Sequence, residues 1–135
     1  MPLKININKG ERLLLSTPGS VLIATRDTSL VFETPTKFLL ERDIMPIQDA
    51  DSPAKRIYFI LQMMYIFEDN EQRQLQLQKH LFEFLEAAPS SEEIIDKIQK
   101  SVGDGQYFKG LKFARELINL ETERINLVTQ QGADH

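Results

Sequence analysis

The chain has no cysteine in its 135 residues. Disulfides and cysteine-ligated zinc or iron–sulfur sites are therefore excluded, and such a sequence fits a reducing cytoplasm. Histidine is nearly absent too. His80 falls in a helical pattern and His135 is the last residue. Neither H-E-x-x-H nor H-x-x-x-H spacing occurs, so no zinc site is expected. There is no G-x-G-x-x-G or Walker-type phosphate loop, and "VGDGQ" is better explained by helix ends. Nothing resembles G-x-S-x-G. The acidic clusters "ERD" and "EDNE" read as helix caps and solvated loops. No catalytic residue, metal or cofactor is expected. The start, "MPLKININKGE", lacks an apolar h-region and a small-residue cleavage site. The longest apolar stretch, Ile57 to Phe67, is interrupted by Gln62 and falls far short of the roughly 20 residues that span a bilayer. A soluble, cytoplasmic protein of one-domain size is the expectation.

A strong basic excess is also missing. Net charge is −4, with 8 Lys and Arg against 7 Asp and Glu in residues 1–56 and 8 against 13 in residues 57–135. Proteins that hold nucleic acid by charge alone usually carry a marked positive surplus. Any RNA contact here requires a local patch assembled by the fold.

What is present changes character near residue 50. "LKININ" alternates apolar and polar residues with the period of a half-buried strand. "NKGE" reads as a tight turn at Gly10 and "TPGS" as a turn at Thr17–Ser20. "RLLLS", "VLIAT", "SLVFE" and "KFLLE" supply four more short strands. After residue 50 the periodicity is helical. Ser52 is a suitable N-cap and Pro53 a suitable first residue for a helix running to about Glu68. A second helix, about Glu71 to Ala87, has an apolar face of Leu75, Leu77, Leu81, Phe82, Phe84 and Leu85. Ser90 and Glu93 form a capping box for a third, closed by Gly103. Asp104 is a candidate cap for a fourth, running to about Val128 with Tyr107, Leu111, Ala114, Ile118, Ile125 and Val128 on one face. The fold class is α+β: a small N-terminal antiparallel β-sheet (1–51), then a four-helix lobe (52–130) and a polar tail (131–135), forming one compact unit or a sheet lobe docked on a helical lobe.

The helix from Pro53 is apolar nearly all round, which predicts burial nearly all round, against the sheet and other helices or between the subunits of a homo-oligomer. Its first turn carries Lys55 and Arg56, at the end of the helix dipole that disfavours cations. Either Asp49 and Asp51 compensate, or the cations meet an anionic ligand. Arg42, Lys55 and Arg56 form the best candidate anion patch; the plainer alternative is pairing with Glu41, Asp43, Asp49 or Asp51, which is worth little on a surface. Tyr58, Phe59 and Tyr65 are aromatics able to stack on bases or to fill a core. Met63 and Met64 read as core, with partner binding as the alternative.

Four segments together resemble the FlbT family: "LKININKGERLLL", "LLERDIM" (Leu39–Met45), "SPAKRIYFILQMMYI" (Ser52–Ile66) and "YFKGLKFARELINLETERI" (Tyr107–Ile125). The resemblance implies a regulator of flagellin synthesis that acts after transcription, on the 5′ untranslated region of flagellin messenger RNA, controlling its translation and decay. It also implies links to flagellin itself and to the partner regulator FlaF, hence a chaperone-like alternative. On the first reading Lys4, Lys9, Arg12, Arg26, Lys37, Arg42, Lys55 and Arg56 track phosphates, with sequence read in single-stranded loops. On the second, an apolar groove with Met63, Met64 and Tyr65 takes an amphipathic helix of flagellin or FlaF.

Overall fold

The computed structural model describes residues 3–15, 20–34, 36–67 and 70–133, with side chains described as far as Ile125. Among these residues five strands precede four helices: β1 (Leu3–Ile7), β2 (Arg12–Leu15), β3 (Val21–Ile23), β4 (Thr28–Phe32), β5 (Phe38–Leu40), α1 (Pro53–Ile66), α2 (Glu71–Ala87), α3 (Glu92–Gly103) and α4 (Tyr107–Ala133). Short 3₁₀ turns occupy Glu41–Asp43, Ile47–Asp49 and Pro89–Ser91. The class is α+β, as the two periodicities predict. The chain divides into two compact units, Met1–Ile44 with Ile66–Glu68, and Met45–Tyr65 with Asp69–His135.

In the first unit the strands form two small antiparallel sheets, β1-β4 and β3-β2-β5. Leu3 faces Phe32 and Ile7 faces Thr28; Arg12 then faces Ile23 and Leu14 faces Val21. Every step forward along β1 and β2 is matched by one step back along β4 and β3. The two ladders are thus halves of one long hairpin that shares a single register. The expected tight turn at Gly10 is present, with the Glu11 amide donating to the Asn8 carbonyl at 2.9 Å. It bends one arm of the hairpin rather than reversing it. The opposite arm bends with it at Ala24, whose carbonyl accepts from the Gly10 amide at 2.7 Å and whose amide donates to Glu11 at 3.1 Å. Gly10 sits at φ +82, a left-handed backbone that glycine adopts without a Cβ penalty. The Lys9 amide donates to the Asp27 carboxylate at 2.7 Å and pins the corner. Most of the expected Thr17–Ser20 turn lies outside the described residues. β5 joins the free side of β2, Leu13 facing Leu40. The alternation of β1 and β4 turns Ile5, Ile7, Leu30 and Phe32 to one side, where they meet Leu13, Leu40 and Phe38 in one apolar cluster. The Phe32 and Phe38 rings stack at 4.8 Å.

In the second unit α3 packs most closely on α4, and α1 lies along α4 through side-chain contacts. Ser52 caps α1 as expected, its hydroxyl accepting from the Lys55 amide at 3.4 Å. Ala54, Ile57, Tyr58, Leu61 and Met64 are all buried, while Phe59, Ile60 and Met63 are half-buried. Four pairings run antiparallel along α4. The Ala54 amide donates to the Glu121 carboxylate at 3.0 Å, Arg115 donates to the Tyr58 hydroxyl at 3.2 Å, Leu61 lies over Gly110, and the Tyr65 ring meets Phe108 at 5.6 Å. Gln62, which interrupts the apolar run, is only 2% exposed. Its side chain accepts from the Met45 amide at 2.7 Å and donates to the Met45 carbonyl at 3.0 Å. α2 and α3 are joined by a reciprocal amide pair, Gln78 with Gln99, at 2.8 and 2.6 Å.

Several helix details differ from expectation. On α2, Leu77, Leu81 and Phe84 are buried, but Leu75 and Phe82 are exposed. Those two lie seven residues apart, so they share the face opposite Phe84. The Ser90–Glu93 capping box does not form. A 3₁₀ turn precedes α3, Ser91 takes the N-cap place without a side-chain cap, and the Ser90 hydroxyl instead accepts from Arg124. Asp104 follows α3 as its C-cap, rather than starting α4. The left-handed residue after α3 is Gly105, at φ +73, two places beyond the expected Gly103. On α4 the buried face is Leu111, Ala114 and Leu117, whereas Ile125 is exposed. α4 runs on past Val128 to Ala133, there being no proline to stop it. No helix among the described residues is long and apolar enough to cross a membrane.

Candidate nucleic-acid interface

The expected cationic residues fall into two groups. Lys4, Arg12, Lys37 and Arg42 belong to the first unit, and Lys55 and Arg56 to the second. Within the first unit the Glu41–Asp43 turn docks on the start of β2 and brings Arg12 and Arg42 together. The Arg12 amide donates to the Glu41 carboxylate at 3.1 Å, and Arg42 pairs with Glu11 at 3.5 Å. The Arg12 side chain is exposed, and that of Arg42 remains 57% accessible despite its partner. Two carboxylates thus stand at this corner with the Arg42 guanidinium, which lowers its pull on an anion. Lys4 lies on β1 on the face opposite the apolar cluster, and Lys37 stands exposed before β5.

Lys55 pairs with Asp51 at 3.4 Å, the bland alternative for that residue. Arg56 is exposed and forms no ion pair or side-chain hydrogen bond among the described residues. The amide end of α1 is already supplied with negative charge. Glu121 reaches across from α4 to the Ala54 amide, and Asp51 stands one turn before Lys55. The dipole penalty on the two cations is therefore offset from inside the protein. Arg56 also lines an apolar cleft of about 290 Å³, walled by Pro53, Phe84, Ala87 and Ile125 with His80 and Glu83 at its side. Of the expected partner-contacting residues, Met64 is fully buried and withdrawn from the surface, while Met63 and Tyr65 are half-buried. Tyr58 is buried beneath Arg115, whose guanidinium lies 5.7 Å from the ring centre. It has no face left for a base.

Sequence reasoning did not single out Lys97, Lys100, Lys109 and Lys112. The α3–α4 turn gathers the first three around a shallow cavity of about 220 Å³ that Phe113 also lines. Averaged into an acidic back half, these four lysines leave no surplus; the stretch 97–113 taken alone holds four lysines against one aspartate. A window the length of one helix hairpin is the signal that finds them. Among the described residues no group of three or more His, Asp or Glu converges in a way that could hold a metal ion.

The chain matches the flagellar protein FlbT family over residues 3–125, nearly its whole length. It belongs to the FlbT family. A FlbT from Caulobacter sp. strain K31, named a probable flagellum biosynthesis repressor, is 35% identical over 133 residues, covering 96% of this chain and all of that protein. The probable flagellum biosynthesis repressor FlbT of Rhodopseudomonas palustris strain TIE-1 is 32% identical, covering 93% of this chain and 99% of its own. The flagellum biosynthesis repressor FlbT of Caulobacter vibrioides strain ATCC 19089 is also 32% identical, covering 96% of this chain and 93% of its own. No solved structure matches significantly. FlbT proteins are thus related to this chain from β1 to the exposed Ile125 of α4, across both units.

Proposed function

We propose that this FlbT-family chain is a cytoplasmic, non-enzymatic regulator of flagellin synthesis that binds the 5′ untranslated region of flagellin messenger RNA and controls its translation and decay. The observation that carries this reading is the end-to-end match to proteins named as repressors of flagellum biosynthesis. A repressor that touches RNA directly needs cations not already neutralised by the fold, and among the described residues Arg56 forms no ion pair. The test is binding of the purified protein to the flagellin leader RNA at several ionic strengths. Phosphate contacts release counterions, so affinity should fall steeply as salt rises. A flat salt response, or no binding at low salt, removes direct RNA recognition.

The apolar cleft beside Arg56 favours a second reading, in which an amphipathic helix of flagellin or FlaF seats an apolar side chain there and the effect on messenger RNA is indirect. Copurification from cells, with and without ribonuclease, separates the two. A flagellin or FlaF complex that survives ribonuclease supports the second reading, and one that ribonuclease dissolves supports the first.

A further inference from the structure

We infer that the outer surface of the α3–α4 hairpin is a single-stranded RNA platform, on which Lys100, Lys109 and Lys112 take phosphates and the Phe108 and Phe113 rings take bases. This rests on the RNA-binding reading above and assigns it to residues.

The hairpin connection sets the geometry. The Asp104 amide donates to the Lys100 carbonyl, the Gly105 amide to Val102 and the Gln106 amide to Ser101, so the chain reverses within a few residues. Lys100 near the end of α3 is thereby brought beside Lys109 near the start of α4, at one cavity. On α4, Phe108 and Lys112 are four residues apart, as are Lys109 and Phe113. The strip they form is thus two neighbouring rows of the helix surface, about 100° apart, each carrying one ring and one ammonium group. Phe108 is 41% exposed, although it is large and apolar; Tyr65 meets the ring at 5.6 Å, and Lys112 hovers 5.4 Å from its centre. Lys97 lies 5.6 Å from the centre of Phe113, across the two helices. Exposed cation–π contacts are weak and yield when a base and a phosphate arrive together.

The charges are available. Lys97 is drawn toward Glu93 at 3.8 Å, but Lys100, Lys109 and Lys112 form no ion pair among the described residues. Asp104 at the turn and Glu116 one turn beyond Lys112 mark the ends of the strip. Phe108 is exposed and Phe113 half-buried, and a track of cations interleaved with such rings is the arrangement that holds single strands without demanding a sequence, because every base offers a π-face. A duplex would bury its bases and leave the rings unused. An acidic protein partner would use the lysines but gain nothing particular from two aromatic faces.

The test uses the full chain and fluorescence anisotropy, with a short unstructured uridine-rich RNA and the flagellin leader as probes. Lys100→Gln with Lys109→Gln should weaken binding to both RNAs about ten-fold or more at low salt. It should also flatten the plot of log affinity against log salt by about 1.4, since each single-strand phosphate contact contributes about 0.7. Phe108→Leu should weaken binding about ten-fold while leaving that slope unchanged, because stacking releases no counterions. Circular dichroism checks folding; should Phe108→Leu unfold the chain, the exposed lysine pair decides alone. Wild-type-like binding by the folded lysine variant overturns the platform but leaves RNA recognition standing, to be sought at Arg12 and Arg42 or at Arg56. Failure of the wild-type chain to bind either RNA overturns both. Equal competition by polyglutamate at the same charge concentration reduces the strip to an unspecific anion patch and also overturns the inference.

Discussion

Replacing Gln62 by leucine puts the polar core of the second unit to a test of sign. At an ordinary buried helix position, gaining a leucine contributes about 1.5–3 kcal/mol of burial. Here the glutamine side chain satisfies both the amide and the carbonyl of Met45, at 2.7 and 3.0 Å. Leucine can satisfy neither. A peptide group left without a partner in a dry site costs about 1–3 kcal/mol, so two of them lose about 4 kcal/mol. Met45 is half-buried, which lets water recover part of that loss. The balance is a destabilisation of about 1–2 kcal/mol, or a drop in Tm of about 4–8 °C for a chain of this length. Urea unfolding should show a lower midpoint with an unchanged slope. If Gln62→Leu matches or exceeds wild type in Tm, the clip on Met45 contributes nothing and the glutamine merely fills space.

Glu121→Ala removes the carboxylate that meets the Ala54 amide; loss of such a cap should lower stability by about 1 kcal/mol in urea titrations, and no change would show that water serves that amide equally well. Gly110→Ala should raise stability by about 0.5–1 kcal/mol through helix propensity, because its Cβ would meet the Leu61 side chain at an ordinary 3.5 Å; a fall in Tm would mean that α1 and α4 cannot give way there. Met64→Asp should abolish cooperative unfolding, since it places a carboxylate at a fully buried site; a native-like melting curve would contradict that burial. Arg56→Ala should leave Tm within about 1 °C, the side chain being exposed and without an ion pair among the described residues, and should weaken RNA binding if the tip of α1 contributes; unchanged affinity removes Arg56 from the interface.

The elements were legible where one periodicity ran undisturbed. Leu3, Ile5 and Ile7 announced β1, and Ser52 with Pro53 announced α1. Pairing was not legible. Five strands with turns between them suggest one small antiparallel sheet, whereas two form, β1-β4 and β3-β2-β5, because the Gly10 turn bends an arm of the long hairpin. Local capping signals also misled. Ser90 has a capping spacing, yet Arg124, distant in sequence, claims its hydroxyl. Faces were half legible: Phe84 and Leu81 are buried while Phe82 and Leu75 are not, because hydrophobicity alone does not say how wide a stripe the neighbours cover. For the candidate site, single residues such as Arg56 and Arg42 can be picked from the chain. A cluster made by Lys100 meeting Lys109 across a helix hairpin exists only once the turn has closed.

The bent hairpin of the first unit ties two distant stretches to a common length. Residues 8–11 and residues 24–27 span the corner side by side, and the pairing resumes in step beyond it. One amino acid inserted into either stretch alone would put β1 out of phase with β4, turning Ile5 and Ile7 to the side that now holds Lys4 and Asn6. A matching insertion in the opposite stretch would restore the phase. Chains built on this scaffold can therefore lengthen or shorten that elbow only in compensated pairs, and an uncompensated change is a ready way to disable the N-terminal half while leaving every helix-forming residue intact.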